Sequence, residues 1–128
     1  MTIEAILPLA DGTYKASVNG YGNLELKTSV SMGQGYWVSD DTGVTVEGHL
    51  TEQGVADALQ LMEAQPGEYI GIWTDEGITY IDRSYHFIRK EVAIDFGNLY
   101  NQKAIWDCAK GEAITLWVIH LMSGRTVV

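Results

Sequence analysis

The sequence predicts an α+β fold: a single domain over residues 1–128, with an antiparallel β-sheet built from hairpins in a meander and two α-helices. Three observations lead there. Short runs rich in Val, Ile, Tyr and Trp are separated by turn pairs such as Asp11-Gly12 and Asn19-Gly20, the texture of hairpins. Two longer stretches space their apolar residues at helical intervals instead. With 46% hydrophobic and 20% charged residues in 128, the chain carries enough apolar side chain to fill one core.

Taken in order, Ile3 to Leu9 reads as a strand that ends at Pro8 and Asp11-Gly12. Tyr14 to Val18 follows, and Asn19-Gly20 tolerates the positive φ of a tight hairpin. Leu24-Glu25-Leu26-Lys27 alternates apolar and charged residues, as a half-buried strand does. Tyr36-Trp37-Val38 and Val44-Thr45-Val46 flank Asp40-Asp41-Thr42-Gly43, which reads as another hairpin.

The first helix is predicted from Thr51. Its hydroxyl suits an N-cap, Glu52 favours the positive end of the helix dipole, and Leu50 can staple onto Val55. Val55, Leu59 and Met62 form the apolar stripe, and Pro66-Gly67 stops the helix. Tyr69 to Trp73 and Ile78 to Ile81 make a hairpin around Thr74-Asp75-Glu76-Gly77. A second helix is expected from around Phe87 to Tyr100, on the recurrence of Ile88, Val92, Phe96 and Leu99. Ala104 to Trp106 and Ile114 to Ile119 then read as strands around Ala109-Lys110-Gly111, with a last short strand at Thr126 to Val128.

Charge placement is the most informative functional feature. The formal charge is −9, with 17 acids against 8 bases. Between Lys27 and Arg83 there is no basic residue, while Asp40, Asp41, Glu47, Glu52, Asp57, Glu63, Glu68, Asp75, Glu76 and Asp82 all fall in that interval. Residues 1–82 hold 13 acids and 2 bases, a charge of −11, whereas residues 83–128 hold 4 acids and 6 bases, a charge of +2. A chain this acidic is repelled by phosphate backbones, so direct nucleic-acid binding is not expected. The ordinary explanation of acidic side chains is a solvated surface. An ordered display of them can also steer a basic macromolecule and hold it. On the first helix, Glu52, Asp57 and Glu63 lie off the apolar stripe with no basic partner at i+4, so helix stability alone does not account for them.

Other chemistry is thinly represented. One cysteine, Cys108, excludes an intrachain disulfide and a multi-thiolate zinc site and fits a reducing compartment. Lys110 is near enough in sequence to lower a thiol pKa, but a buried inert thiol is expected. His49, His86 and His120 are dispersed without metal-ligand spacing, so neither metal nor cofactor is expected. Gly20-Tyr21-Gly22 and Gly33-Gln34-Gly35 lack the Lys-Ser or Lys-Thr of a phosphate loop. Asp40-Asp41 and Asp75-Glu76 on hairpin tips are poor candidates for a glycosidase pair, which faces across a cleft with one raised pKa. Trp73 and Trp106 are expected in the core, and Tyr36 is expected to point outward opposite Trp37. The N-terminus lacks the basic and apolar regions of a signal peptide, and the apolar stretch Ile114 to Met122 is about half the ~20 residues a spanning helix needs. A soluble cytoplasmic protein is the expectation.

Gly71-Ile72-Trp73-Thr74-Asp75, then Thr79-Tyr80-Ile81-Asp82, then Asn101-Gln102-Lys103-Ala104-Ile105-Trp106-Asp107 form a pattern of hairpin, helix and aromatic strand. Over roughly residues 67–115 this resembles the C-terminal half of small proteins of bacterial phages, prophages and conjugative elements. The resemblance implies a mobile-element accessory protein and supplies no activity.

The functional expectation is therefore a non-enzymatic, acidic protein that binds and inhibits a basic nucleic-acid-handling defence protein, as anti-CRISPR and antirestriction proteins do. Asp40, Asp41, Glu47, Asp57, Glu63, Asp75 and Glu76 are the candidate partner-binding residues, with Tyr36 as an aromatic anchor. Two alternatives stand beside it. One is a phage structural protein that oligomerises through β-edges such as Ile114 to Met122 and Thr126-Val127-Val128. The other is a small hydrolase.

Overall fold

A computed structural model describes residues 2–3, 11–28, 32–48 and 50–116. Among them are nine strands and two helices, and the fold is α+β as expected. The strands are β1 (Thr2–Ile3), β2 (Gly12–Val18), β3 (Asn23–Thr28), β4 (Tyr36–Ser39), β5 (Val44–Glu47), β6 (Tyr69–Asp75), β7 (Ile78–Phe87), β8 (Ala104–Asp107) and β9 (Glu112–Thr115). The helices are α1 (Glu52–Leu61) and α2 (Lys90–Leu99). The chain divides into two compact units, Met1–Val30 with Thr42–Ser84, and Ser31–Asp41 with Tyr85–Val128.

In the first unit β3, β2, β6 and β7 pair antiparallel in that order, β1 adds parallel to β3, and β5 pairs antiparallel with β7. Strand alternation sets the faces. Tyr14, Ala16, Leu24, Leu26, Ile70, Ile72 and Ile81 turn inward and close over Val55, Ala58 and Leu59 of α1. Fully buried Leu and Ile side chains such as Leu59, Ile70 and Ile81 each contribute about 1.5–3 kcal/mol by leaving water. Leu50 packs against this cluster, which includes Val55.

Both ends of α1 follow from local chemistry. Thr51 Oγ1 accepts the Gly54 N–H at 3.0 Å, the expected cap. At the other end Glu63 takes a left-handed φ of 53°, and the N–H groups of Glu63 and Ala64 return to the carbonyls of Gln60 and Leu59 at 3.1 and 3.0 Å. This is a Schellman closure, so the helix stops before Pro66-Gly67 is reached. In the β2–β3 hairpin, Asn19 Oδ1 accepts the N–H groups of Tyr21 and Asn23 at 2.8 and 3.1 Å. The positive φ falls on Gly22 and not on Gly20.

In the second unit β8 pairs antiparallel with β4 on one side and β9 on the other, and α2 packs on β4 and β8. Val38, Ala93, Ile105 and Leu116 form the core, joined by Tyr36, Phe87, Ile94, Phe96 and Ile114. Phe96 stacks obliquely on Tyr85, Phe87 and Tyr100 at ring separations of 5.0, 5.1 and 4.8 Å. Gly97 lets the helix approach closely, because a Cβ there would press on Leu116, Ile105 and Val38.

Several expectations are corrected. Tyr36–Val38 and Val44–Val46 do not form a hairpin: β4 pairs with β8, β5 pairs with β7, and the two strands belong to different units. Gly43 allows this course, since a Cβ there would strike the Ile81 carbonyl and Asp82. Helix α2 starts at Lys90, because Phe87 ends β7. Its inward face is Ala93 and Gly97, small residues that suit close packing, so Ile88, Val92 and Leu99 stand exposed. The expected strand residues 4–9 and 117–119, the strand Thr126–Val128, and the assembly edge beyond residue 116 lie outside the described residues. No helix among the described residues is long and apolar enough to cross a membrane.

Candidate binding surface

The eight candidate residues fall in three places. Asp40, Asp41 and Tyr36 are in the second unit. Asp57 and Glu63 lie on and just after α1, exposed on the helix side of the first unit. Glu47, Asp75 and Glu76 gather at one end of the first unit's sheet.

Two of the eight differ from expectation. Asp40 is 7% exposed: its carboxylate accepts the Tyr85 hydroxyl at 2.7 Å, and its carbonyl accepts the Gln102 side-chain amide at 3.1 Å. It is a structural group, because its segment runs out of β4 into the second unit's interior and not around a hairpin tip. Tyr36 is half-buried against the α2 core, sharing the inward face with Val38. Trp37 on the opposite face is also buried, edge-on to His86 at 5.1 Å, so this strand is covered on both sides.

The outward aromatics are those expected inside. Trp73 is 52% exposed and Trp106 is 46% exposed. The reason is register: Ile70, Ile72 and Ile105 are the inward residues, so their neighbours Trp73 and Trp106 must face the other way. Trp73 stands directly across from Tyr80 on β7, their rings 5.5 Å apart, and Tyr80 stands across from Thr45 on β5. One row further along the strands, Ile78 is flanked by Asp75 on one side and Glu47 on the other. The two carboxylate-bearing Cα atoms are thus two strand spacings apart, about 10 Å. On the same face, towards the opposite end of β6 from Asp75, Lys15 Nζ sits 5.7 Å from the centre of the Tyr69 ring.

Glu76 and Gly77 close the β6–β7 hairpin with φ of 51° and 78°, a type I′ turn. Among the described residues no lysine or arginine makes an ion pair with Asp41, Glu47, Asp57, Glu63, Asp75 or Glu76. Glu68, by contrast, is held by Arg83 at 2.6 Å.

The chemistry of this face is recognition of charge and aromatic contact. Among the described residues no group of His, Cys, Asp and Glu is arranged to hold a metal ion. Burial, with Asp107 beside it, pushes the Cys108 thiol up, so it stays protonated near neutral pH and is a poor nucleophile. Trp73 and Tyr80 are the residues that a reading of composition misses. The signal was present in the alternation of Ile70 and Ile72 with Tyr69, Gly71 and Trp73, which puts the isoleucines and the tryptophan on opposite faces. No protein-family model matches the chain, and neither a curated protein nor a solved structure matches it.

Proposed function

We propose that this chain is a non-enzymatic acidic protein of a mobile genetic element that binds a basic nucleic-acid-handling defence protein in the host cytoplasm and blocks it. The observation that carries this reading is where the charge resides. The first unit's segments hold 11 acids and 3 bases, a charge of −8, whereas the second unit's hold 6 acids and 5 bases, a charge of −1. One compact unit therefore concentrates the negative field that attracts a cationic macromolecule.

A second feature supports it. Glu63 and Glu76 both occupy left-handed backbone positions, where glycine or asparagine is cheaper. Stability alone would not place a glutamate at either, and strained residues concentrate where function requires the side chain.

The test is phage plating on bacteria that carry a restriction or a CRISPR system, with and without the protein. Expression is expected to restore plating against one of them, and a Glu47→Lys/Asp57→Lys/Glu63→Lys variant is expected to lose that protection. Equal plating in every case, with no salt-sensitive association with the purified basic nucleases, would overturn the reading.

A further inference from the structure

We infer that the outer face of the first unit's sheet, centred on Trp73 and Tyr80 and flanked by Glu47 and Asp75, is a docking surface for an arginine-bearing segment of a protein partner. The inference rests on the proposed function and specifies where and how the partner is held. Three features of the face point to this occupant.

The Trp73–Tyr80 pair is a half-exposed aromatic platform held on two paired strands, with isoleucines beneath fixing its direction. A guanidinium is planar and weakly hydrated, so it lies flat on such rings and still presents its N–H groups at the edge. Carboxylates stand where those groups would reach. Asp75 follows Trp73 by two residues on β6, Glu47 follows Thr45 by two on β5, and neither has an ion-pair partner among the described residues. Two residues along a strand is about 7 Å, within the span of an arginine side chain laid across the rings.

The same face already satisfies one cation in this way, Lys15 over Tyr69, so the geometry is compatible with the fold. A nucleic-acid base would also stack on Trp73, but its phosphates would meet Glu47, Asp75 and Glu76, which repel them. An arginine meets attraction from both groups. Lysine, a compact and strongly hydrated charge, gains less from the rings.

The experiment is calorimetric titration of the full chain with a synthetic peptide of alternating arginine and glycine, and with its lysine counterpart, at low and high salt. The arginine peptide is expected to bind more tightly than the lysine one. Trp73→Ala is expected to weaken it by about tenfold or more, as removal of a central aromatic anchor does. Glu47→Gln/Asp75→Asn is expected to weaken binding by a few-fold and to flatten its salt dependence. Asp95→Asn/Glu112→Gln, exposed in the second unit, is expected to leave it unchanged.

All of these side chains are exposed, and circular dichroism melts would show that each variant folds. If the wild type binds but Trp73→Ala and Glu47→Gln/Asp75→Asn bind equally well, this surface is overturned while the acidic-binder reading stands. If the wild type shows no salt-sensitive binding of either peptide, both are overturned.

Discussion

Arg83 shows at the residue scale how one side chain can be both rare and necessary. It is the first base after Lys27, and it is spent inside the fold and not on the surface. Its Nε donates to Glu68 Oε2 at 2.6 Å, one terminal nitrogen to Thr42 Oγ1 at 2.9 Å, and the other to the Met62 carbonyl. The Arg83 and Glu68 side chains are only 14% and 28% exposed, so each would be costly to leave alone. Arg83→Ala is expected to destabilise the protein by about 2–3 kcal/mol, because it takes the cation from a half-buried carboxylate, leaving it the Gln65 N–H, and a donor from the Met62 carbonyl. Arg83→Lys should restore only part of this, since one ammonium lacks the planar fork that serves three acceptors. Urea unfolding of the variants checks both, and a loss for Arg83→Ala no larger than that of an exposed ion pair would contradict the assigned role.

Turns and caps, at the scale of the element, carry the tension between stability and recognition. Glu63 ends α1 as the left-handed residue of its Schellman closure, and its negative charge lies at the unfavourable end of the helix dipole. Glu76 takes the first central position of a type I′ turn before Gly77, where Asn-Gly is the preferred pair. Glu63→Gly and Glu76→Asn are each expected to stabilise the fold by about 0.5–1 kcal/mol, raising the thermal midpoint. Glu76→Asn should at the same time weaken a basic ligand, because Glu76 borders the Asp75 and Trp73 end of the sheet. A variant that gains neither stability nor loses binding would show that backbone strain has no part in placing these carboxylates.

The whole molecule separates its charge. The first unit carries −8 and the second −1, although the sequence boundary of the acidic stretch, at Arg83, hardly departs from the unit boundary at Ser84. The exception is Asp40 and Asp41, which the acidic interval includes and the first unit does not. Like charges held together oppose the compact state, so salt should relieve them. Raising ionic strength from about 0.01 to 0.15 M shortens the screening length from about 30 to about 8 Å. The melting temperature at pH 7 is therefore expected to rise over that range, as differential scanning calorimetry would register. The half-buried Arg83–Glu68 pair is screened less and should not reverse the trend. A fall in melting temperature would mean that attractive surface pairs outweigh the repulsion.

Much of the fold was legible in the sequence because it depends on neighbours along the chain. Thr51 and its cap, the Val55–Leu59–Met62 stripe, the β6–β7 hairpin and the absence of basic residues between Lys27 and Arg83 are all local facts, set by propensity, periodicity and counting. What only the tertiary structure decided is which strand lies beside which, and therefore which face is covered. Tyr36 and Asp40 look exposed in sequence, yet β4 pairs with β8 and both are drawn inward. Trp73 looks like a core residue, yet register with Ile72 turns it to the outside and sets it against Tyr80. Local preferences specify a strand and its alternation. Only long-range pairing assigns one side of that alternation to water, because burial belongs to the pair of surfaces that meet and not to either segment alone.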